Sequence, residues 1–201
     1  MVSNETSKNI SLLILLIAFV AFIYGTTKAI QRVEKTQIST NDGIYTSYVT
    51  SSKQIIQKAN LLTKQCENDV CKVQTLLDYV TNIPYSTHTF QQKSPQKTIQ
   101  ENFGDCDDKS NLLISMLHGL GLEAYFVLVP KHIFVIVPLE DKRLSNRKGL
   151  WLNGRKYYIL ESTAKDSIIG FPLRYSIDDI DTIIEPFTNK KINMNHLEYK
   201  L

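Results

Sequence analysis

The sequence predicts an α+β fold in which helices pack on an antiparallel sheet. Two observations predict it: apolar residues recur at helical spacing before Gly121, and after it the pattern changes to short β-rich runs. An apolar N-terminal stretch predicts a transmembrane helix ahead of them. We therefore divide the chain into a membrane anchor at 1–27, a linker at 28–43, a main domain at 44–172 and a C-terminal extension at 173–201.

The anchor is predicted from residues Ile10 to Tyr24, which are apolar apart from Ser11. Extended through Thr27, the stretch would span about 27 Å as a helix, at about 1.5 Å per residue. A cleaved signal peptide is the alternative, but only Lys8 precedes the stretch and the best cleavage site, at Thr27–Ala29, is poor. A buried core helix is disfavoured because the stretch has no polar face. We therefore expect a single-pass membrane protein.

The side of the membrane that the domain occupies is predicted from two opposing signals. Lys28, Arg32 and Lys35 follow the span, which by the positive-inside rule would leave the domain in the cytoplasm. Cys66 and Cys71 lie close together between two predicted helices, where a disulfide would imply an oxidising compartment. Two reduced core cysteines are the alternative, and a zinc site is not expected because a second ligand pair is missing. Since large domains can be translocated despite flanking charge, we expect an extracytoplasmic domain.

Four helices are predicted between the linker and Gly121. The first is built on apolar residues that share one helical face: Ile44, Tyr48, Ile55, Ile56, Ala59 and Leu62. The second carries Val73 to Val80 and stops at Ile83-Pro84. A polar loop at 86–93 leads to a short third helix, which Ser94 caps and which continues through Ile99. The fourth begins at Cys106, with a Leu-rich face, and ends near Gly119.

Four strands are predicted after the helices, and they account for the sheet. In chain order they are Glu123–Val129, His132–Val137, Leu150–Leu152 and Arg155–Leu160. The first two are almost continuously apolar, which is typical of strands covered on both faces. Asn153-Gly154 predicts a tight type I′ hairpin between the last two. A short helix from Ser176 is expected in the tail, to which the sequence assigns no role.

Composition excludes several functional classes. The chain has 23 Lys and Arg against 20 Asp and Glu, and the resulting net charge of +3 is scattered along it. Without a basic stripe interleaved with aromatic residues, nucleic-acid binding is not expected. Neither a G-x-x-x-x-G-K-[ST] nor a G-x-G-x-x-G motif is present, so we expect no nucleotide. No cofactor and no metal ion are predicted.

Cys106 is the candidate nucleophile. It lies in Gly104-Asp105-Cys106-Asp107-Asp108-Lys109, directly before an apolar helical run. The partial positive charge of a helix N-terminus favours a thiolate, and such settings can lower a thiol pKa from about 8.5 to roughly 3.5–7.5. Asp107 and Asp108 suit the helix dipole but oppose a neighbouring thiolate. An inert core cysteine is the alternative interpretation.

A nucleophilic thiol needs a base and a group that orients the base. Of the four histidines, His132 is the best placed, because it begins a strand expected to pack beside the Cys106 helix. His88 lies in the polar loop, His118 at the far end of the helix and His196 in the tail. Glu161 follows the neighbouring strand and is the candidate orienting group. Both His132 and Glu161 have a simpler interpretation as polar residues at strand ends.

Several short motifs occur in a characteristic order along residues 50–172. They are Asp78-Tyr79-Val80, Ile83-Pro84-Tyr85, Ser94-Pro95-Gln96-Lys97-Thr98, Gly104 to Lys109, Gly119-Leu120-Gly121-Leu122, Lys131-His132-Ile133-Phe134-Val135 and Tyr158 to Thr163. Their combination resembles the transglutaminase-like superfamily of papain-type thiol enzymes. The resemblance implies a papain-like core and a triad: Cys106 as nucleophile, His132 as general base and acid, and Glu161 as orienting residue. It also implies that the Cys106 N–H stabilises the oxyanion.

Two departures from the family pattern bear on the reaction. The orienting residue of the family is most often Asp, whereas this chain has Glu161. Cross-linking enzymes of the family have Trp after the nucleophile, whereas this chain has Asp107, which favours hydrolysis over protein cross-linking.

We therefore expect a membrane-anchored peptidase or amidase that acts on a peptide or protein through an acyl-thioester. The alternatives are an inactive binding module of the same fold and an acyltransferase that forms isopeptide bonds. The triad predicts a Cys106 pKa well below that of a free thiol, and that His132→Ala abolishes the shift.

Overall fold

The computed structural model describes residues 4–40, 43–46, 49–87 and 93–201. His88 and Tyr48, both named above, lie outside these residues. The chain divides into two compact units, Met1–Gln37 and Ile38–Leu201, so the boundary falls within the segment predicted as linker.

The first unit is one long helix, α1 (Asn4–Thr36). It contains a 22-residue stretch, Lys8–Ala29, with a mean hydropathy of 2.4 and no buried part. The hydroxyls of Thr26 and Thr27 donate hydrogen bonds of 2.9 Å to Ile23 O and Tyr24 O, so these polar groups are satisfied within the helix. The stretch is long and apolar enough to cross a membrane, and a signal sequence near the N-terminus has the same features.

The second unit begins with a short hairpin and four helices. Strands β1 (Gln37–Thr40) and β2 (Gly43–Thr46) pair with each other. The helices are α2 (Lys53–Leu62), α3 (Asp69–Thr81), α4 (Pro95–Glu101) and α5 (Cys106–Gly119).

The prediction that a helix begins at Ile44 is wrong, since Ile44 belongs to β2. The helix starts only after Ser52, whose hydroxyl accepts a hydrogen bond from the Ile55 N–H and thereby caps it. The predicted Ser94 cap of α4 is confirmed, and α5 begins at Cys106 as predicted, with Asp105 at its N-cap position.

A disulfide joins Cys66 to Cys71, with 5.4 Å between the two Cα atoms. Cys71 lies in the first turn of α3, whose N-cap residue is Asn68. The bridge therefore ties the start of α3 to the connection from α2. Of the two interpretations that the sequence left open, the structure has the disulfide.

The remaining strands form one curled antiparallel sheet of seven strands in the order β8-β7-β3-β4-β6-β5-β9. They are β3 (Tyr125–Val129), β4 (His132–Val137), β5 (Gly149–Leu152), β6 (Arg155–Leu160), β7 (Thr182–Glu185), β8 (Lys190–Lys191) and β9 (Leu197–Lys200). The β5–β6 turn has positive φ at Asn153 and Gly154, 50° and 88°, as the predicted type I′ hairpin requires.

The sheet is covered on both faces, as the apolar runs predicted. Alternate residues of β4, such as Ile133 and Val135, pack against the helices in one core. Their neighbours Phe134 and Ile136 belong to a second core on the opposite face. That second core is completed by residues of the C-terminal segment, among them Phe171, Leu173, Tyr175, Ile177 and Met194.

Residues 173–201, to which the sequence assigned no role, supply three strands to the sheet. The short helix expected from Ser176 is present as a 3₁₀ turn at Ile177–Asp179, capped by the Ser176 hydroxyl.

Candidate active site

Cys106 is the first residue of α5, as the sequence predicted. The Asp105 carboxylate caps the helix by accepting a 3.1 Å hydrogen bond from the Asp108 N–H. The preceding Gly104 is held in a parallel bridge to Tyr85, with its N–H bonded to Pro84 O at 3.1 Å. A Cβ at Gly104 would lie 2.8 Å from Asp108 Cβ, so only glycine fits this approach.

Two buried lysines hold the loop that carries the thiol. Lys93 donates its N–H to Asp108 Oδ1 at 2.6 Å and its ammonium to Phe103 O at 3.1 Å. Lys109 is 1% exposed, and its Nζ donates to Thr81 O and Ile83 O at 3.3 and 2.8 Å. Burial lowers the pKa of Lys109 to about 8, against the opposing effect of Glu161. Lys93 therefore holds the loop before Cys106 and the first turn of α5, whereas Lys109 joins α5 to the end of α3.

The electrostatic setting of Cys106 is opposite to the one predicted from its helix position. Burial, the charges of Asp107 and Asp105, and a 3.6 Å hydrogen bond to Asp107 Oδ1 raise the pKa of the thiol to about 12. A hydrogen bond from the Ile133 N–H acts in the other direction but is too small to offset them. The prediction of a depressed thiol pKa is therefore wrong: the resting residue is a neutral thiol, because burial and two carboxylates outweigh the helix dipole.

His132 and Glu161 are brought together at one edge of the sheet. Strands β4 and β6 are antiparallel neighbours that pair Val135 with Leu160, so Phe134 lies opposite Glu161 and His132 lies two residues farther along the same face of β4. His132 Nε2 lies 2.8 Å from Glu161 Oε2, and the two side chains are 17% and 11% exposed. The ring pairs with the carboxylate while both remain shielded from most solvent.

Glu161 is held by a second set of hydrogen bonds. Its Oε1 accepts from the Thr163 N–H at 3.0 Å and from the Thr163 hydroxyl at 2.6 Å. Burial opposes ionisation, but His132 and the two donors of Thr163 together bring the pKa of Glu161 below its ordinary value. The carboxylate is therefore ionised at neutral pH and fixed in orientation.

The thiol lies beside the start of β4, where α5 packs on this strand. The Ile133 N–H, which donates to the thiol, directly follows His132 in the chain. A second link, between the hydroxyls of Ser110 and Ser162 at 3.0 Å, joins α5 to the residue after Glu161. All three candidate residues thus lie around the junction of one helix start and two strand ends.

Tyr175 was not anticipated from the sequence. Its ring lies nearly parallel to that of His132, with 6.0 Å between centroids and 17° between planes. Burial raises the pKa of Tyr175, and Glu161 and Cys106 raise it further, so the phenol lies close to both. The sequence around Tyr175 contains no motif that predicts a contact with His132, which arises only from tertiary packing.

The other histidines are elsewhere. His118, near the C-terminal end of α5, has its Nδ1 2.9 Å from the Ser51 hydroxyl and stacks on Phe187 with 3.8 Å between centroids. His196 Nε2 lies 3.2 Å from Glu198 on the surface. Among the described residues, we find no group of three or more His, Cys, Asp or Glu side chains that could hold a metal ion.

The family assignment follows from the region that carries this geometry. A family model described as the transglutaminase-like superfamily matches residues 56–134, from α2 into β4. This segment is transglutaminase-like. The matched segment includes Cys106 and His132, whereas Glu161 lies beyond its end. A comparison with curated proteins finds no match.

The chain is also similar to solved structures. One is a candidate cysteine protease from Cytophaga hutchinsonii, with 23% identity, a TM-score of 0.46, and coverage of 77% of this chain and 53% of that chain. Another is LapG from Legionella pneumophila, with 14% identity, a TM-score of 0.46, and coverage of 75% and 88%. A third, a candidate protease from Parabacteroides distasonis, has 13% identity, a TM-score of 0.45, and coverage of 70% and 27%. The chain thus spans about half the length of the first and about a quarter of the third. Because these TM-scores lie below 0.5, the likenesses carry no conclusion about function.

Proposed function

We propose that the chain is a membrane-anchored thiol hydrolase, a peptidase or amidase, in which Cys106 is the nucleophile, His132 the general base and acid, and Glu161 the orienting carboxylate. The observation that carries the proposal is the 2.8 Å contact between His132 Nε2 and Glu161 Oε2. It occurs beside the Ile133 N–H that is bonded to the thiol.

The tautomer of His132 follows from its partner. An ionised carboxylate only accepts hydrogen bonds, so Nε2 carries the ring proton and donates it to Glu161. Nδ1 is then the ring nitrogen with a lone pair, and it is the atom assigned to take the thiol proton. Glu161 also favours the imidazolium that forms when the proton arrives.

Acylation in this proposal is a general-base step rather than attack by a preformed thiolate. Since the local setting raises the pKa of the Cys106 thiol to about 12, the proton leaves Sγ for His132 Nδ1 as the C–S bond forms. The substrate carbonyl oxygen becomes an oxyanion, to which the Cys106 N–H can donate because the first N–H groups of a helix lack intrahelical partners. Collapse breaks the C–N bond, and the His132 Nδ1 proton passes to the departing amine.

In deacylation, water is the nucleophile and the Cys106 sulfur is the leaving group. Water attacks the acyl-thioester and gives its proton to His132 Nδ1. The tetrahedral intermediate then expels Sγ, which recovers the proton, and the carboxylic acid product leaves. An amine in place of water would give acyl transfer instead.

We propose a peptide or protein substrate and an extracytoplasmic location. The Cys66–Cys71 disulfide supports an oxidising compartment, and α1 supports attachment to the membrane. If α1 is instead a signal sequence, the domain would be released on the same side.

The test is acylation of Cys106 by an activated ester. The full chain in detergent micelles is mixed with p-nitrophenyl acetate, and the modified residue is identified by peptide mass spectrometry. We expect an acetyl-thioester on Cys106 that decays in water, and no burst of nitrophenol from Cys106→Ala. A burst that persists in Cys106→Ala would contradict the proposal. Addition of excess glycinamide distinguishes hydrolysis from transfer, since only a transferase would yield mainly acetyl-glycinamide.

A further inference from the structure

A cavity of about 340 Å³ opens beside His132 and Glu161. Its floor is apolar, made by Phe134 and Ile159 on the sheet face opposite the helices. The other wall is the C-terminal segment 171–175, which carries Tyr175 against the His132 ring. The volume is at the lower end of ligand pockets, which hold roughly 300–1,000 Å³. A cavity of this size suits a single amino-acid side chain.

Arg174 supplies the positive charge of this cavity. Its guanidinium lies over the Phe171 ring, 4.9 Å from the centroid, and the residue is exposed to solvent. Within the described ranges, Arg174 has no hydrogen bond or ion pair with a protein group. Arg143 and Arg155 differ, since they form ion pairs with Asp141 and Glu123 at 2.7 and 2.9 Å. Arg174 lines the cavity, and contact with the Phe171 ring face leaves the edge of the guanidinium, where its donors lie, open to a ligand.

The charges around the candidate site are unevenly distributed. Asp105 and Asp107 lie beside the thiol and raise the pKa of Cys106, so this side repels an anionic group. Arg174 lines the cavity beside Tyr175, where its charge lowers the pKa of the phenol against the effect of burial. The cavity is therefore a favourable position for a negatively charged substrate group. The same field would set the direction in which an acidic peptide lies across the site.

We propose that this cavity is a specificity pocket for an acidic residue of the substrate, with a glutamate carboxylate paired to Arg174 and its methylenes on the apolar floor. The inference rests on the proposed function for the position of the site and adds the substrate class. Guanidinium and carboxylate form two parallel hydrogen bonds, which gives both affinity and orientation. Glu161 also borders the cavity, but it is already paired with His132.

The experiment measures binding, so that it does not depend on turnover. The full-length Cys106→Ala chain in detergent micelles is titrated calorimetrically with N-acetylated, C-amidated penta-alanine peptides that carry Glu or Gln at each position in turn. At one position we expect Glu to bind about tenfold more tightly than the isosteric Gln, as a charge-assisted pair would give. The preference should weaken as salt is raised, because the site is open to solvent.

Variants assign the preference to one residue. Arg174→Gln should abolish the discrimination between Glu and Gln, and Arg174→Glu should instead favour Lys at the same position. Arg155→Gln is the matched control, since Arg155 also stacks on an aromatic ring, Tyr157, at 5.4 Å but is not among the residues that line the cavity. A Glu preference that survives Arg174→Gln, or the absence of any preference, overturns the proposal. Acylation of Cys106 by the ester in the unsubstituted chain tests the function separately, so the two failures are distinguishable.

Discussion

The two sides of the candidate site shift the pKa of their acidic group in opposite directions. On the helix side, burial and the two aspartates raise the pKa of Cys106 to about 12 and hold it as a thiol. On the strand side, His132 and Thr163 lower the pKa of Glu161 and hold it as a carboxylate. A cysteine at a helix start is therefore not activated by that position alone. In the proposed mechanism, the group that activates this thiol is His132 on the strand side.

The two sides also differ in how they are built. The charges on the helix side come from neighbours in sequence, because Asp105 and Asp107 adjoin the thiol, whereas its burial depends on tertiary packing. The strand side joins residues 29 positions apart in its histidine–carboxylate pair. If the strand side activates the thiol and the helix side suppresses its ionisation, substitutions on the two sides should have different effects. They are given below from the largest expected effect to the smallest.

Loss of the histidine should have the largest effect. In His132→Ala, acylation of Cys106 by p-nitrophenyl acetate should slow by about 10²–10⁴-fold, because nothing replaces the general base. Stopped-flow measurement of nitrophenol release gives the rate. His118→Ala, at the far end of the same helix, should acylate at the unsubstituted rate. Equal rates in the two variants would mean that the strand side does not activate the thiol.

Removal of the Glu161 charge should cost about 10²-fold in the same assay. In Glu161→Gln the amide can donate to His132 Nε2, which moves the ring proton to Nδ1 and leaves that atom unable to accept from the thiol. Glu123→Gln, which breaks only the exposed pair with Arg155, serves as control. A normal rate in Glu161→Gln would show that the carboxylate does not set the tautomer.

An added methyl group at Gly104 should disturb the helix side. The new Cβ would meet Asp108 Cβ at 2.8 Å, so the loop before Cys106 must shift. We expect Gly104→Ala to destabilise the domain by about 1–3 kcal/mol in urea unfolding, and to slow acylation as the thiol is displaced. Gly25→Ala, where nothing lies within 4 Å of the new atom, should leave both measurements unchanged.

Neutralisation of one aspartate should make the thiol more reactive. Asp107→Asn removes both a charge and a hydrogen-bond acceptor that raise the pKa of Cys106. If the pKa of Cys106 falls by about one unit, the thiolate fraction at neutral pH rises about tenfold, and alkylation by iodoacetamide becomes about tenfold faster. Asp69→Asn, a carboxylate in the first turn of α3, is the matched control. If alkylation of Asp107→Asn is no faster, Asp107 does not suppress the thiolate.

The raised thiol pKa should also appear in the stability at alkaline pH. Between about pH 9 and about pH 12 the folded state keeps a proton on Cys106 that the unfolded state has lost, so stability falls as pH rises. We expect the difference in free energy of unfolding between the unsubstituted chain and Cys106→Ser to fall by up to about 1.4 kcal/mol per pH unit in this window. The other titrating groups contribute equally to the free energy of unfolding of both proteins, so their contributions cancel in this difference. A constant difference would indicate an ordinary thiol.

Local patterns were sufficient for much of the fold. The start of α5 at Cys106, the Ser94 cap and the Asn153-Gly154 hairpin were all predicted and confirmed, because each depends on a few neighbouring residues. The prediction of a helix at Ile44 is wrong because a few apolar residues at helical spacing also fit a strand, so a short pattern cannot distinguish the two.

The candidate site residues were chosen from their residue types and from their positions at the ends of predicted elements. The contact between His132 and Glu161 confirms that these residues meet, while their roles with Cys106 stay a proposal. Tyr175 and Arg174 were not anticipated, because their positions depend on how the tail crosses the sheet. Thr163 was named in a motif but not as a partner of Glu161, although its bond to that carboxylate is local.

The sequence by itself determined the order of elements from α2 to β6, the helix start that presents Cys106, and the strand ends that carry His132 and Glu161. Capping, turn formation and periodicity are short-range effects, so they can be seen in neighbouring residues. Only the tertiary structure decided the charge state of the thiol and the second wall of the cavity. Burial and the approach of residues 171–175 depend on contacts that are distant along the chain, and these set the local dielectric and field.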